Sequence, residues 1–233
     1  MGAAARQGVI LMGGLGTRLG NLSSHTPKPM LPVQGRPFVE WLIEKARRTG
    51  IERMLLLCGH RAEVVEAWRP GAEARFDISI EISREPQPLG TAGALIHARA
   101  QLADDFLLLN GDTWFDFDWS ALALQKDDLG ALALRPVSPA DRYETITLAS
   151  GRAIAINPRN LDLGAGLINA GVYRLRPAAL DGFSAPASLE GDVLPVLASR
   201  GALAGQRFEG GFIDIGLPET YDAAQTMDLG APQ

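Results

Sequence analysis

Short apolar runs that alternate with helix-forming stretches limit most strongly how this chain can fold. Four of the runs lie in the first half, at Gly8–Met12, Met54–Cys58, Ile78–Ile82 and Phe106–Leu109. Three stretches between them predict helices: Phe38–Thr49, Ala62–Trp68, which Pro70-Gly71 ends, and Thr91–Gln101. Strands that are apolar on both faces and joined by helices are typical of a parallel sheet covered on both sides. The sequence therefore predicts an α/β fold, a three-layer, mostly parallel Rossmann-like sheet with helices on both faces and ligands at the carboxyl ends of its strands.

The second half is less regular but continues the same kind of pattern. It predicts strands at Ala131–Leu134, Thr145–Leu148, Ala153–Ile156 and Leu167–Tyr173, and helices at Leu189–Ser199 and Pro218–Met227. No repeat or long linker interrupts the 233 residues. We therefore expect a single domain, residues 1–233, whose second half extends the first sheet and supplies the other wall of a cleft.

Composition excludes several classes of function. A net charge of −5 argues against nucleic acid as a partner, because the phosphate backbone requires a basic surface, although a small anion needs only local positive charge. Cys58 is the only cysteine and lies in an apolar run, so we expect a buried thiol and no disulfide. No signal peptide and no run of about 20 apolar residues is present, which predicts a cytoplasmic protein without a membrane partner.

The first chemical signal follows the first predicted strand, where Gly13, Gly14 and Gly16 precede Arg18, with Lys28 ten residues later. Glycines allow backbone N–H groups to approach phosphate oxygens closely, Arg18 offers a fork of donors, and Lys28 adds a point charge. The motif is neither a dinucleotide fingerprint, since Leu19 occupies the last glycine position, nor a Walker loop. A plain turn between strand and helix remains the alternative, and it leaves both cations unexplained.

Two aspartates end or interrupt apolar runs. Asp112 follows Leu107–Asn110 and Gly111 directly, and Asp214 lies inside Phe212–Gly216. A carboxylate among apolar residues requires a partner, and Mg²⁺ prefers such oxygen ligands and bridges phosphates. The alternative for Asp112 is an ordinary Asn-Gly-Asp turn, and the partner of Asp214 is either the metal or Arg18.

Asn169 and Glu190 are suited to binding sugar hydroxyl groups. Asn169 interrupts a predicted strand, whereas Glu190 follows Ser188 by two residues. The alternative for Glu190 is an acidic residue in the first turn of a helix that begins at Ser188.

Together these motifs resemble the sugar nucleotidyltransferases, which join a sugar 1-phosphate to a nucleoside triphosphate. The resemblance runs from Ile10 to about Tyr221, and it includes the glycine motif with Lys28-Pro29-Met30, Asn110-Gly111-Asp112, Asn169–Tyr173, and Phe212–Gly216 followed by Pro218–Tyr221. It implies the nucleotide-diphospho-sugar transferase type of fold, with Mg²⁺ as cofactor and a homodimer as an expectation from the family alone. The implied roles are catalysis by Arg18 and Lys28, nucleotide binding by Leu11, Gly13, Gly14, Gly16, Thr17, Glu85, Gly90 and Thr91, sugar binding by Asn110, Gly111, Arg159, Asn169 and Glu190, and metal binding by Asp112 and Asp214.

The expected nucleotide base and the expected sugar follow from more specific resemblances. Glu85-Pro86 and Leu89–Gly93 resemble guanylyltransferases for mannose-type sugars, and the short length and the Phe212–Glu219 ending resemble those that use D-glycero-α-D-manno-heptose 1-phosphate. Many relatives carry a mid-chain Glu-Lys-Pro motif whose lysine contacts the sugar phosphate. Here Ala155–Arg159 contains no lysine, and Arg159 is the substitute that the sequence offers.

Other functions stay open at this point. Mannose 1-phosphate or another sugar 1-phosphate, with GTP, UTP, CTP or a thymidine triphosphate, would fit the same motifs. A catalytically silent, nucleotide-sensing subunit would be expected to lack Arg18, Lys28, Asp112 and Asp214, all of which are present. A nicotinamide-dependent dehydrogenase is disfavoured by the missing third glycine.

Overall fold

The computed structural model describes residues 5–14, 19–20 and 26–230. The strands are β1 (Gln7–Leu11), β2 (Pro32–Val33), β3 (Arg36–Pro37), β4 (Arg53–Cys58), β5 (Ser79–Arg84), β6 (Phe106–Asn110), β7 (Thr113–Phe115), β8 (Gly130–Val137), β9 (Thr145–Ala149), β10 (Arg152–Asn157), β11 (Gly166–Leu175), β12 (Leu203–Arg207) and β13 (Phe212–Asp214). The helices are α1 (Phe38–Arg48), α2 (Ala62–Phe76), α3 (Gly90–His97), α4 (Leu194–Ser199) and α5 (Pro218–Ala224). Among these residues, no helix is long and apolar enough to cross a membrane.

The main sheet has a change of direction beside β1. Its order, within the described ranges, is β5-β4-β1-β6-β11-β8-β12-β10-β9, and the first four strands are parallel. The chain builds outward from β1 through β4 to β5 and then returns to place β6 on the other side of β1. Leu11 at the end of β1 therefore lies between Leu57 on β4 and Asn110 on β6. Such a switch point opens a crevice at the carboxyl ends of the strands, where ligands bind in open α/β sheets.

The second half changes the sheet from parallel to mixed. Strand β11 runs antiparallel to both β6 and β8, whereas β12 runs parallel to β8. Strand β9 pairs with β10 and also with β11, so that β11, β8, β12, β10 and β9 form a ring of strand pairings. The α/β prediction is confirmed, and the predicted parallel arrangement holds for the first four strands and for β8 with β12.

Helices cover both faces of the sheet, as the sequence predicts. Val9 and Ile10 are neighbours on β1, both are fully buried, and they belong to two different apolar clusters. The Ile10 cluster includes residues of α1 and α2, and the Val9 cluster includes residues of α3 and α4. A strand buried on both faces must be apolar at every position, which explains the continuous runs in the sequence.

The predicted end of α2 is wrong, and strand β12 was not predicted. The helix does not end at Pro70-Gly71 but continues to Phe76, with Pro70 in its interior. Ala72 and Phe76 are both buried against the Ile10 cluster. Tertiary packing of these side chains outweighs the local preference of proline and glycine to end a helix.

Cys58 is buried at the end of β4, as predicted, and this makes stability sensitive to alkaline pH. Burial, followed by the charges of Glu66 and Glu85, raises the pKa of its thiol to about 12. In the unfolded chain a thiol ionises near pH ~8.5, so the stabilisation by the neutral buried thiol is complete below that pH and is lost as the pH rises toward the folded-state pKa.

We expect Cys58→Ala to reduce this alkaline loss. Between pH 7 and pH 10, the free energy of unfolding of the wild type should fall by about 2 kcal/mol more than that of the variant. Urea denaturation at both pH values, in the presence of a reductant, measures the difference. Equal losses in the two proteins would contradict the assignment.

Candidate active site

Two adjoining cavities open at the carboxyl ends of β1 and β6. One has a volume of about 160 Å³ and the other about 210 Å³. Both are lined by Leu11, Gly13, Gly14 and Thr91. The first is also lined by Lys28, Pro29, Asn110, Gly111, Asp112 and Glu190, and the second by Leu57, Glu85, Pro88, Gly90 and Ala94. The glycine turn after β1 therefore separates a charged cavity from a more apolar one.

The two aspartates predicted from opposite ends of the chain lie side by side. Strand β13 pairs with β7, so that Asp214 lies opposite Thr113, and the backbone N–H of Ile215 donates to the carbonyl oxygen of Asp112 at 2.9 Å. Lys28 Nζ donates to Asp112 Oδ2 at 2.8 Å. A Cβ atom placed on Gly216 would lie 2.7 Å from Asp214 Oδ1 and 3.3 Å from Lys28 Nζ. The lysine is therefore close to both carboxylates.

The donor set of this cluster fits a hard divalent cation. Asp112 Oδ1 accepts from Thr113 Oγ1 at 3.1 Å, and Asp214 Oδ1 accepts from the N–H of Gly216 at 2.6 Å, so each carboxylate is held in place by a neighbour. Within the described residues, no group of three or more acidic, histidine or cysteine side chains forms a metal site. A cation bound here would take its other ligands from water and phosphate oxygens, as Mg²⁺ does in phosphoryl-transfer sites.

Hydrogen bonds connect the β2–β3 hairpin to α5 and to the residues that follow this helix. Tyr221 donates its hydroxyl to the carbonyl oxygen of Pro32 at 2.6 Å. Gln34 Nε2 donates to the carbonyl oxygen of Met227 at 2.7 Å, and the Gln34 N–H donates to Gln225 Oε1 at 2.9 Å. The hairpin follows Lys28 and the helix follows Asp214, so these bonds fix the two halves of the charged cluster relative to each other.

Glu85 lies at the apolar cavity, where the predicted base contact would be. Its N–H continues the β4–β5 pairing by donating to the carbonyl oxygen of Cys58 at 2.9 Å, and its Oε2 accepts from the N–H of Leu89 at 3.1 Å. Its Oε1 lies so close to the Cα hydrogens of Gly59 that any side chain there would collide with it. Gly59, which the sequence analysis did not single out, therefore leaves room for this carboxylate.

Gly90 and Thr91 connect the start of α3 to the loop that carries Glu190. Gly90 has φ of +78°, and a Cβ atom there would overlap the carbonyl oxygen of Ala187. Thr91 Oγ1 accepts from the N–H of Leu189 at 2.7 Å and donates to Glu190 Oε2 at 2.9 Å. The threonine hydroxyl is thus occupied within the protein, and it orients the carboxylate that lines the charged cavity.

Both interpretations of Glu190, as a first-turn residue of a helix and as a residue of the cleft, agree with the structure. Ser188 Oγ accepts from the N–H of Gly191 at 3.0 Å and caps the helical turn Leu189–Val193, as the simpler alternative predicts. The Glu190 side chain nevertheless lines the charged cavity. Helix capping and a position at the cleft are therefore compatible.

Tyr173 joins the two predicted sugar residues and was missed as a site residue. Its hydroxyl accepts from Asn169 Nδ2 at 2.8 Å and donates to Glu190 Oε1 at 3.2 Å. Burial and the Glu190 charge raise the pKa of Tyr173 well above its usual value, which keeps the phenol protonated and able to donate. The sequence contained a signal, because Tyr173 ends the segment Asn169–Tyr173 that carries the family resemblance.

Asn110 and Gly111 play different parts at the end of β6. Asn110 Oδ1 is buried and has no hydrogen-bond partner among the described residues, although the residue lines the charged cavity. A buried acceptor without a donor is costly, so a ligand hydroxyl there would be favourable. Gly111 packs against the carbonyl oxygen of Leu11 and the ring of Pro29, where no side chain fits.

Some predicted site residues lie outside the described residues or do not line either cavity; among the latter, Asn169 is linked to Glu190 through Tyr173, and Asp214 lies beside Asp112. Gly16, Thr17 and Arg18 lie outside the described residues. Arg159 is exposed, lines neither cavity, and donates from Nε to the carbonyl oxygen of Asp141 at 2.9 Å. The roles assigned to these residues remain predictions.

Comparison with known proteins identifies the family. The sequence profile described as nucleotidyl transferase matches residues 7–229. The chain belongs to the nucleotidyl transferase family. The resemblance drawn from the motifs is thereby confirmed, and with it the enzyme class.

Individual relatives show which members of the family this chain is similar to. D-glycero-α-D-manno-heptose 1-phosphate guanylyltransferase from Campylobacter jejuni is 32% identical over 220 residues, which are 92% of this chain and 96% of the relative. Mannose-1-phosphate guanylyltransferase catalytic subunit beta from Danio rerio is 31% identical over 230 residues, which are 95% of this chain and 64% of the relative. The crystal structure of HddC from Yersinia pseudotuberculosis complexed with GMP-PN has a TM-score of 0.80 at 30% identity, and the match covers 94% of this chain and 97% of that one.

Proposed function

We propose that this enzyme transfers a guanylyl group from GTP to D-glycero-α-D-manno-heptose 1-phosphate and releases pyrophosphate. The observation that carries the proposal is the cluster of Asp112, Lys28 and Asp214 beside the glycine turn, at the switch point of the sheet. The choice of base and sugar is supported by a relative of matching length that is named for this reaction. Mannose 1-phosphate is the second candidate, supported by a relative named for it.

The reaction requires positioning and charge neutralisation rather than a covalent intermediate on the enzyme. A phosphate oxygen of the sugar 1-phosphate attacks the α-phosphorus of GTP, and the bond to the pyrophosphate oxygen breaks. Lys28, already next to Asp112 and Asp214, would contact both reacting phosphates. The N–H groups at Gly13, Gly14 and Gly16 would hold the triphosphate, and Arg18 would bind the leaving pyrophosphate. Mg²⁺ held by Asp112 and Asp214 would supply Lewis-acid polarisation of the α-phosphate.

Glu85 would select guanine. Guanine presents two adjacent N–H donors, at N1 and at the N2 amino group, and a carboxylate can accept from both. The N–H of Leu89 already orients Oε2 of Glu85. Uracil and cytosine do not offer this pair of donors, so an acidic residue at this position favours GTP over UTP and CTP.

The sugar would lie in the charged cavity. Asn110 Oδ1 lacks a described partner there, and Glu190 is held by Thr91 and Tyr173. Both are hydrogen-bond acceptors that can receive bonds from sugar hydroxyls. Asn169 would act on the same side through its bond to Tyr173.

Pyrophosphate release in the presence of Mg²⁺ tests the proposal. GTP, UTP, CTP, ATP and thymidine triphosphate are each combined with D-glycero-α-D-manno-heptose 1-phosphate, mannose 1-phosphate and glucose 1-phosphate. A clear preference for the heptose–GTP pair is expected. Preference for another pair would retain the mechanism and correct the pocket, whereas no release with any pair would favour the silent regulatory subunit.

Replacing Glu85 by glutamine should weaken base selection without affecting the fold. The amide offers one acceptor oxygen in place of two, so kcat/KM for GTP should fall by about 10- to 100-fold. The decrease with UTP should be much smaller, because the carboxylate makes no paired contact with uracil. Steady-state kinetics with each triphosphate measures the ratio, and an unchanged GTP-to-UTP preference would remove Glu85 from the base site.

A further inference from the structure

Arg135 is a partly buried cation without an acidic partner. It lies on β8, and its guanidinium carbon is 5.1 Å from the centre of the Phe212 ring. Within the described parts of the chain it forms no salt bridge and no hydrogen bond through its side chain. A guanidinium that lies over an aromatic ring has its N–H donors at its own edge, where they remain available to a ligand.

The residue lies at the edge of the sheet that carries the cleft. Strands β6 and β8 both run antiparallel to β11, so their carboxyl ends share one edge. Arg135 lies opposite Ile168 on β11, directly after the pair formed by Leu134 and Asn169. Arg135 and Asn169 therefore lie in successive pairs of β8 and β11, with their side chains on opposite faces of the sheet.

Arg135 also lies near the acidic cluster. Phe212 and Asp214 are two residues apart on β13 and therefore on the same face, separated by about 7 Å along the strand. Arg135 therefore contacts the strand that carries Asp214. An anion that bridges Lys28 and Arg135 would lie beside both aspartates.

Several other cations at this edge have acidic partners, whereas Arg142 and Arg159, which form no described salt bridge, are exposed. Arg61 pairs with Glu63 at 3.7 Å, Arg84 with Glu66 at 3.6 Å, and Arg207 with Glu209 at 2.9 Å. The chain has only three lysines, and of these Lys28 is bound to Asp112 and Lys45 to Asp116. The third, Lys126, lies in the loop before β8, at the opposite end of that strand from Arg135.

Among the described residues, negative charges outnumber positive ones in and beside the charged cavity, which favours a further cation such as Arg135. Asp112, Asp214 and Glu190 outnumber Lys28 in and beside the charged cavity, and a sugar 1-phosphate brings up to two more negative charges. A divalent metal offsets part of the repulsion, but the attacking phosphate still has to approach a second phosphate. A forked donor on the sugar side would hold two of its oxygens and orient the third.

We propose that Arg135 binds the phosphate group of the sugar 1-phosphate and positions it for attack. This inference rests on the proposed function, and it deepens that function by naming the cation for the acceptor substrate. The guanidinium of Arg135 lies over Phe212, and its N–H fork donates to two phosphate oxygens. Arg159, which the sequence put forward for this contact, instead donates to the carbonyl oxygen of Asp141.

Steady-state kinetics of Arg135→Gln, Arg135→Lys and Arg207→Gln tests the proposal, with the sugar 1-phosphate and triphosphate varied separately. Arg135→Gln should raise KM for the sugar 1-phosphate by about 10- to 100-fold, the loss expected for a charged hydrogen-bond pair, while KM for the triphosphate stays within a factor of about 2. Arg135→Lys retains the charge but not the fork and should fall between the wild type and Arg135→Gln. Arg207→Gln, at the end of the neighbouring strand β12, should match the wild type.

The outcomes separate this inference from the proposed function. A wild type that releases no pyrophosphate with any sugar 1-phosphate overturns both. An active wild type with an unchanged sugar 1-phosphate KM in folded Arg135→Gln overturns the role of Arg135 alone, as does a selective effect of Arg159→Gln in its place. If Arg135→Gln fails to fold, Arg135→Lys carries the test, and an unchanged KM in that variant contradicts a bidentate contact.

Discussion

Replacement of Asp112 by asparagine is expected to reduce turnover by at least about 100-fold, because it removes the carboxylate that would hold the metal beside the reacting phosphates. The substitution preserves the shape of the side chain. The bond between Ile215 and the Asp112 carbonyl oxygen does not depend on the carboxylate, so the pairing of β7 with β13 should survive. Pyrophosphate release at saturating substrates measures the loss, and thermal denaturation checks that the fold is retained.

Two further measurements make this result specific. Asp116→Asn is the matched control, since Asp116 lies four residues later, is about half exposed, and pairs with Lys45 at the surface. Exposed pairs contribute about 0–1 kcal/mol, so its turnover should stay close to that of the wild type. In Asp112→Asn, any residual activity should require a higher Mg²⁺ concentration. Near-normal turnover at an unchanged Mg²⁺ requirement would exclude Asp112 as a metal ligand.

The positions of Asp112 and Asp214 at apolar runs could be anticipated from sequence for local reasons, whereas their proximity depends on the pairing of β7 with β13, about a hundred residues apart in the chain. Each aspartate ends or interrupts an apolar run, and buried carboxylates require a partner. Parallel strands also deliver their carboxyl ends to one edge, which is why residues after β1 and β6 meet. Strand type, strand end and residue chemistry were sufficient to single out each aspartate, and the pairing of the two came from the family resemblance.

Contacts that depend on distant partners could not be anticipated. The hydroxyl of Thr91 is bound by Leu189 and Glu190, nearly a hundred residues away, and nothing near Thr91 in the sequence indicates this. Pro70 has the local signature of a helix end, but the burial of Phe76 carries α2 past it. In both cases tertiary packing decides between local options that the sequence leaves open.

Arg159 illustrates a different limit. It was chosen because it is the nearest cation to a missing lysine in the order of the chain. In space, Arg135 has the more suitable surroundings, because it contacts Phe212 on the strand that carries Asp214. Sequence order locates a motif, but the register of β8 against β11 places Arg135 at the carboxyl end of β8, beside the strand that carries Asp214.

The second large effect is expected at Gly90, where alanine should lower the free energy of unfolding by about 2–5 kcal/mol. Its positive φ alone costs an L-residue about 1–2 kcal/mol. A Cβ atom would in addition overlap the carbonyl oxygen of Ala187, which accepts from the N–H groups of Ala92 and Gly93 at 3.0 Å each. The Cβ atom is fixed to the backbone and the atom it would meet is a backbone oxygen, so no flexible side chain can move away. Overpacking therefore adds about 1–3 kcal/mol.

Gly50→Ala separates the two causes. Gly50 has φ of +92° after α1, and a Cβ atom there would have no neighbour within 4 Å, so only the conformational cost applies. Urea denaturation of both variants should therefore show a clearly larger loss for Gly90→Ala. Because Ala187 leads directly into the loop that carries Glu190, the variant should also raise KM for the sugar 1-phosphate. Equal losses in the two variants would show that this loop moves freely away from α3, and that the Thr91–Glu190 bond does not fix the carboxylate in the cleft.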